Sequence, residues 1–277
     1  MPIATTTPFN AGVLFTFLGR WAVPGVELVD SHEGQPRYAR ALRLAHGPGL
    51  VRLTWTGREL LAELRVDPAD RASALAKIAA LCDTAAPAAR IDQQLGADPH
   101  LSSLVAAAPG LRIPGTTDRH ELAFQVLISQ QISMAAAAIC AAKITRRYGE
   151  ELARPDFGLS WLFPTAAALA TADPLELPMP RARGRAVVSL ARALASGEVD
   201  LADGVALAPT RSALLAQPGI GPWTADSIAM RALGDRDILL DTDLVIRREL
   251  AAREVADGGA WSPFRSYATI HLWRAYV

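Results

Sequence analysis

The chain has 277 residues, 51% of them apolar, and its 28 basic and 28 acidic side chains cancel at neutral pH. That length suffices for two domains with cores of their own, and the balanced charge leaves no overall cationic field of the kind by which duplex-binding or membrane-surface proteins gather anionic partners. Cys82 and Cys140 are the only cysteines, too few for a disulfide scaffold or a four-cysteine iron–sulfur cluster, and the histidines (His32, His46, His100, His120, His271) lack the helical spacing that puts two ligands on one face, so no metal site is expected.

Met1 to Asn10 has no basic region followed by an apolar core, so no secretory signal is expected. Phe9 to Trp21 is predicted as a helix. Arg37 to Ala45 is a candidate strand that enters a β-hairpin through His46-Gly47-Pro48-Gly49. In that hairpin Val51, Leu53 and Trp55 alternate with Arg52 and Thr54, and Leu60, Ala62, Leu64 and Val66 alternate with Glu59, Glu63 and Arg65 around the turn Thr56-Gly57-Arg58. The Ala-rich segment Asp70 to Cys82 is predicted as a helix covering the sheet.

From Thr84-Ala-Ala-Pro87 onward no strand pattern of comparable strength follows, and the chain becomes a succession of helices separated by Pro and Gly. The expected organisation is an α+β domain over residues 1–86 and an all-α region over 87–277. Asp118 to Glu121 is a capping-box-like start. Phe124 to Ala142 is uncharged and nearly long enough for a bilayer, but Gln125, Ser129, Gln130, Gln131 and Ser133 interrupt it, which predicts a buried helix pair in a cytoplasmic protein. Ser133 can cap the second of the two helices, through Arg147; one continuous helix with a polar spot is the other reading. Arg181, Arg183 and Arg185, and Arg247 and Arg248, can face phosphates or simply line solvated helix faces.

The most informative stretch is Gln217-Pro218-Gly219-Ile220-Gly221-Pro222-Trp223-Thr224-Ala225-Asp226. A helix is predicted over Thr210 to Gln217 and another over Trp223 to Leu233, with Gly234 as its C-cap. Between them the two glycines bracket a tight turn, and Pro222 suits a first helical position that needs no N–H. The turn's amides are left to point outward, and free amides at a helix N-terminus attract phosphate without reading a base. An ordinary structural turn has the same Gly-x-Gly signature. Asp241-Thr242-Asp243 follows after Gly234 to Leu240 and opens a third helix through about Leu250.

Hairpin, helix and downstream Asp resemble the helix-hairpin-helix DNA glycosylase superfamily. Pro-Gly-Ile-Gly-Pro-Trp-Thr-Ala, Trp261 to Ala268, Phe17 to Glu27 and Gly110 to Gly115 look like the bacterial DNA-3-methyladenine glycosylase II family (AlkA type). The resemblance spans nearly the whole chain. It implies a TBP-like first domain, a catalytic Asp at position 243 with Asp241 as the rival, and a backbone grip by Gly219, Ile220, Gly221 and Thr224. It further implies a wedge at Gln131, where the enterobacterial member has Leu, and base-pocket aromatics at Trp223, Phe17 and Phe264. It allows a monovalent cation at the hairpin and otherwise no cofactor. The implied partner is double-stranded DNA with alkylated bases, bound by a nucleoid-associated monomer.

The chemistry has its own requirements. A base inside a duplex must be turned out, at roughly a few kcal/mol. As its glycosidic bond breaks, the sugar becomes cationic, and a carboxylate at about 4 Å in an effective dielectric near 20 contributes on the order of 4 kcal/mol, roughly a thousandfold in rate. Asp243 suits this role; it also suits a plain N-cap. Lyase-coupled relatives carry a nucleophilic Lys where this chain has Trp223, and Lys77 and Lys143 are its only lysines, so water is the expected nucleophile and strand cleavage is not expected. Leu244 and Ser227 stand where the enterobacterial member has tyrosines, Phe264 replaces a Trp and Trp21 an Arg, which implies a less polar pocket for 3-methyladenine and 7-methylguanine. Two other readings stay open: a non-catalytic helix-hairpin-helix DNA-binding protein, and an oxidised-base glycosylase, against which the missing Lys argues.

Overall fold

A computed structural model describes residues 1–274 and 276. After β1 (Pro2–Ile3), helix α1 (Ala11–Trp21) begins at Asn10, whose side chain accepts the Val13 N–H, 3.2 Å away. Strands β2 (Glu27–His32), β3 (Gln35–Leu44), β4 (Gly47–Trp55) and β5 (Leu60–Arg65) complete an antiparallel sheet in the order β1-β5-β4-β3-β2, and α2 (Arg71–Cys82) follows. The alternation read in the sequence is visible in the packing. Tyr38, Leu42, Val51, Leu53, Leu60 and Ala62 form a core with Leu14, Phe15 and Leu18 of α1 and Ala74, Ile78 and Leu81 of α2. Sequence reading missed β1 and β2. The β2–β3 turn is Glu33-Gly34, with φ of 51° and 76°. Such a two-residue turn is ordinarily signalled by Asn or Asp before the Gly, not by Glu.

The second region runs α3 (Ala88–Gly96), α4 (Ser102–Ala107), α5 (Arg119–Ile128), α6 (Met134–Tyr148), β6 (Glu150–Asp156), β7 (Leu159–Leu162), α7 (Ala166–Ala170), α8 (Arg181–Ser196), α9 (Leu207–Leu215), α10 (Pro222–Ala232), α11 (Leu244–Ala252) and α12 (Arg265–Arg274). It is therefore not all-α. The β6–β7 hairpin turns at Phe157-Gly158, again with two positive φ angles, and lays Leu152, Leu159 and Leu162 on Ala39, Ala41 and Leu50 of the first sheet. That burial explains how a segment containing Pro155 and little alternation forms strand: the partner surface lies a hundred residues upstream, beyond any local pattern. No helix among the described residues is long and apolar enough to cross a membrane.

A buried ionic group joins the two regions. Arg40 Nη1 donates to Glu27 Oε1 at 3.2 Å and Nη2 to Glu121 Oε2 at 2.8 Å; Tyr38 Oη and Gln125 Nε2 supply further bonds to Glu27 and Glu121 at 2.5 and 2.9 Å. Burial pushes the Glu121 carboxyl up to about 8, against the pull of Arg40. Asp118 caps α5 by accepting from His120 N and Glu121 N, but Glu121 does not complete a capping box, because its carboxyl is turned to Arg40 and Gln125. The junction ties β2 and β3, on which α1 with Phe17 and Trp21 packs, to α5, which leads to the proposed wedge.

Candidate active site

The helix pair splits where Ser133 caps α6, its Oγ accepting the Ala136 N–H, 3.2 Å away. In the intervening turn Gln131 is exposed with φ of 57°, a left-handed conformation unusual for a side chain of its size. The turn faces the hairpin between α9 and α10: Gln130 Nε2 donates to Gly219 O at 3.0 Å and to Thr224 Oγ1 at 2.8 Å.

In the hairpin, Gly219 has φ of 79°, and a Cβ there would lie 2.8 Å from the Ala186 Cβ on α8, so both the backbone and the space demand glycine. Gly221 differs. Its φ is −97° and a Cβ would meet nothing within 4 Å, so the fold alone does not require glycine at this position. Pro222 occupies the first turn of α10. The amides of Gly219, Gly221, Trp223 and Thr224 have no backbone partner among the described residues, whereas the Ile220 N–H is donated to Gln217 O at 3.2 Å and its side chain is buried. The Ile220 amide is thus taken up within the hairpin, whereas the Thr224 hydroxyl accepts from Gln130 Nε2 and keeps its own hydrogen to donate. The Gln217 carbonyl accepts from the Ile220 amide and the Gly219 carbonyl from Gln130 Nε2. The hairpin is braced from outside by Arg211 on Asp226, bidentate, and by Gln217 Nε2 on Glu198 at 2.9 Å.

Asp243 is the N-cap of α11, its Oδ1 accepting the Val245 and Ile246 amides at 2.9 and 3.1 Å. Two indoles bracket the same carboxylate: Trp223 Nε1 donates to Oδ2 at 2.9 Å and Trp273 Nε1 to Oδ1 at 3.2 Å. Every partner is a donor, an arrangement suited to an ionised side chain that only accepts. Oδ1 takes three of these bonds and Oδ2 one, which leaves Oδ2 with unused acceptor capacity. Asp243 is half-buried, its neighbour Leu244 is 69% exposed, and Asp241 is exposed. Among the described residues Asp243 makes no ion pair, with Arg247 or otherwise.

Phe17 reaches this group through Trp273, their ring centroids 6.0 Å apart, and stacks on Trp21 at 6.5 Å on its own helix. Under both rings lies Arg231, its Cζ 5.3 Å from Phe17 and 4.8 Å from Trp21; burial lowers its guanidinium to about 10. The structure does not bring Phe264 into this group. Phe264 is buried edge-on to Tyr267, with Arg90 above it, in the core formed by α3, α4 and α12. The aromatic residue that does meet the carboxylate from α12 is Trp273, which no local pattern distinguishes from a core residue; its only sequence signal is an indole N–H, a donor that has to find a partner when buried. Lys77 Nζ, on α2, donates to Thr117 O in the loop between α4 and α5 at 2.7 Å.

A family model described as the AlkA N-terminal domain matches residues 1–118. The chain is 39% identical over 277 residues to a Mycobacterium tuberculosis protein named probable bifunctional transcriptional activator/DNA repair enzyme AlkA. The match covers 96% of this chain and 55% of that one, so the chain spans about half that relative's length. It is 32% identical over 278 residues to Escherichia coli DNA-3-methyladenine glycosylase 2, covering 96% of this chain and 94% of the relative. Among solved structures, a 3-methyladenine DNA-glycosylase from Archaeoglobus fulgidus superposes with a TM-score of 0.82 at 21% identity, over 100% of this chain and 98% of that one. The apo form of a Clostridium acetobutylicum 8-oxoguanine glycosylase/lyase does so at 0.77 and 16%, over 96% and 92%. These two superpositions establish the fold, which a lyase-coupled enzyme shares.

Proposed function

The chain belongs to the AlkA family of DNA-3-methyladenine glycosylases, and from that premise we propose that it is a monofunctional glycosylase that extrudes alkylated purines from duplex DNA and hydrolyses their N-glycosidic bond, initiating base excision repair. The observation that carries the proposal is the Asp243 carboxylate, held by two backbone amides and two indole N–H groups beside the hairpin. A carboxylate fixed in this way reorganises little as positive charge builds on the deoxyribose, which is the basis of electrostatic catalysis at a preorganised site.

The other residues take roles consistent with their geometry. The free amides of Gly219, Gly221, Trp223 and Thr224 receive a phosphate, and the open space at Gly221 lets the DNA backbone come close. Gln131 fills the vacancy left by the extruded nucleotide and can hydrogen-bond the orphaned base. Trp223, its N–H anchored on Asp243, offers a ring to a methylated, cationic purine, an interaction worth about 2 kcal/mol when desolvated. Water is the nucleophile, because Trp223 stands at the lyase position and neither Lys77 nor Lys143 belongs to the hairpin. Asp243 favours the cationic sugar. Every group invoked comes from one chain, so a monomer suffices.

Incubation with methylated duplex DNA, scoring free base and strand breaks separately, tests the proposal. Release of 3-methyladenine and 7-methylguanine without breaks is expected; breaks accompanying base loss would mark a lyase, and DNA binding without base release would leave only a binding module.

A further inference from the structure

Among the described residues the Gln130 carboxamide is the one side chain that hydrogen-bonds the wedge turn to the hairpin. Its nitrogen has two hydrogens, and both are used: one goes to the Gly219 carbonyl at 3.0 Å, the other to Thr224 Oγ1 at 2.8 Å. Gly219 is the positive-φ residue of the hairpin, and Thr224 directly follows Trp223, which holds Asp243. On the other side Gln130 directly precedes the left-handed Gln131, and Ser129 closes α5 through its Oγ, which donates to Val126 O at 2.8 Å. A single amide therefore links the turn that would enter the duplex, the amides that would grip the phosphate and the helix that bears the carboxylate's partner.

We propose that Gln130 is a positioning residue that fixes the register between the wedge and the phosphate clamp. This rests on the glycosylase reading above and deepens it. A wedge and a clamp act together only if the base pair being opened lies a set distance from the phosphate being held. The two segments are 89 and 94 residues apart in sequence, with no covalent reason to stay in register. Gln130 is only half-buried, so replacing it does not open the core.

The test uses Gln130→Ala, which removes the link, and Gln130→Glu, which keeps the shape but turns an acceptor toward the Gly219 carbonyl. Single-turnover base release is measured on two duplexes, one with 7-methylguanine opposite cytosine and one with it opposite an abasic site, where no stacked partner has to be displaced and extrusion costs less. Both variants are expected to lose tenfold or more on the paired lesion and less than threefold on the unpaired one, with duplex affinity and melting temperature close to wild type. A parallel fluorescence measurement, with 2-aminopurine beside the lesion, is expected to show the same loss of extrusion signal. Equal losses on the two duplexes would reduce Gln130 to a structural contact and overturn the proposal, as would wild-type rates on the paired lesion. If the wild-type protein itself released no base from either duplex, the glycosylase reading would fail instead.

Discussion

Trp273 donates its indole N–H to Oδ1 of Asp243 from 3.2 Å, so α12 holds one side of the carboxylate while Trp223 of α10 holds the other from 2.9 Å. Neither bond is needed for Asp243 to cap α11, which two backbone amides already accomplish. Trp273→Phe and Trp223→Phe keep an aromatic ring and remove the donor. A hydrogen bond to a charged group is worth about 1.5–3 kcal/mol, so each variant is expected to lower single-turnover base release by roughly ten- to a hundredfold while duplex affinity stays within about threefold. Rates unchanged in both variants would mean that the indoles only pack.

The two hairpin glycines make opposite predictions. Gly221→Ala introduces a methyl into open space at an ordinary φ, so melting temperature is expected to stay within about 2 °C, while a phosphate approaching the amides meets the methyl and duplex affinity falls about tenfold. Gly219→Ala places a side chain at φ 79° against Ala186; its left-handed strain alone costs about 1–2 kcal/mol, so it is expected to lower the melting temperature itself. Wild-type DNA affinity in Gly221→Ala would exclude the hairpin amides as the phosphate site.

Two buried groups set a stability window in pH. His271 is buried on α12, and burial, with Arg274 adding to it, lowers its imidazole from 6.5 to about 4; the Leu104 carbonyl offsets part of this without reaching hydrogen-bond geometry. A lowered value in the folded state means that protons bind the unfolded chain better. Stability is therefore expected to fall as pH drops from 6.5 toward 4, by about 1.4 kcal/mol per unit from this group. Glu121 acts in the opposite sense: burial raises its carboxyl above the usual carboxylate range against the pull of Arg40, so its contribution is present at low pH and lost as pH rises. His271→Leu is expected to flatten the acid side of the melting-temperature profile and Glu121→Gln the alkaline side. Profiles that keep the wild-type slopes would show that other groups govern the pH dependence.

What could be read from the sequence was whatever lies close along the chain. The hairpin spans ten residues, and its glycines, Pro222 and the later Asp243 are ordered by local backbone rules, so the turn, α10 and the cap of α11 were all legible. The β3, β4 and β5 strands showed their alternation because one face of the sheet is buried against α1 and α2. The β6–β7 hairpin was not legible, because its strand character depends on Ala39, Ala41 and Leu50 of the first sheet. Trp273 and Gln130 were missed for the same reason, since their meaning lies in contacts with Asp243, Gly219 and Thr224 made across long stretches of chain. Phe264 illustrates the converse: an aromatic in a recognisable segment that packs in a core instead of meeting the carboxylate.

The role of Asp243 is tested most directly by Asp243→Asn, which keeps an acceptor for the Val245 and Ile246 amides and removes the charge. Base release from methylated duplex DNA is measured under single-turnover conditions alongside duplex affinity. The expected result is affinity near wild type with a rate reduced by about a thousandfold, the Coulombic share estimated for a carboxylate beside the cationic sugar. A variant that kept more than about a tenth of the wild-type rate, a deficit of under roughly 1.4 kcal/mol, would contradict a catalytic role for Asp243.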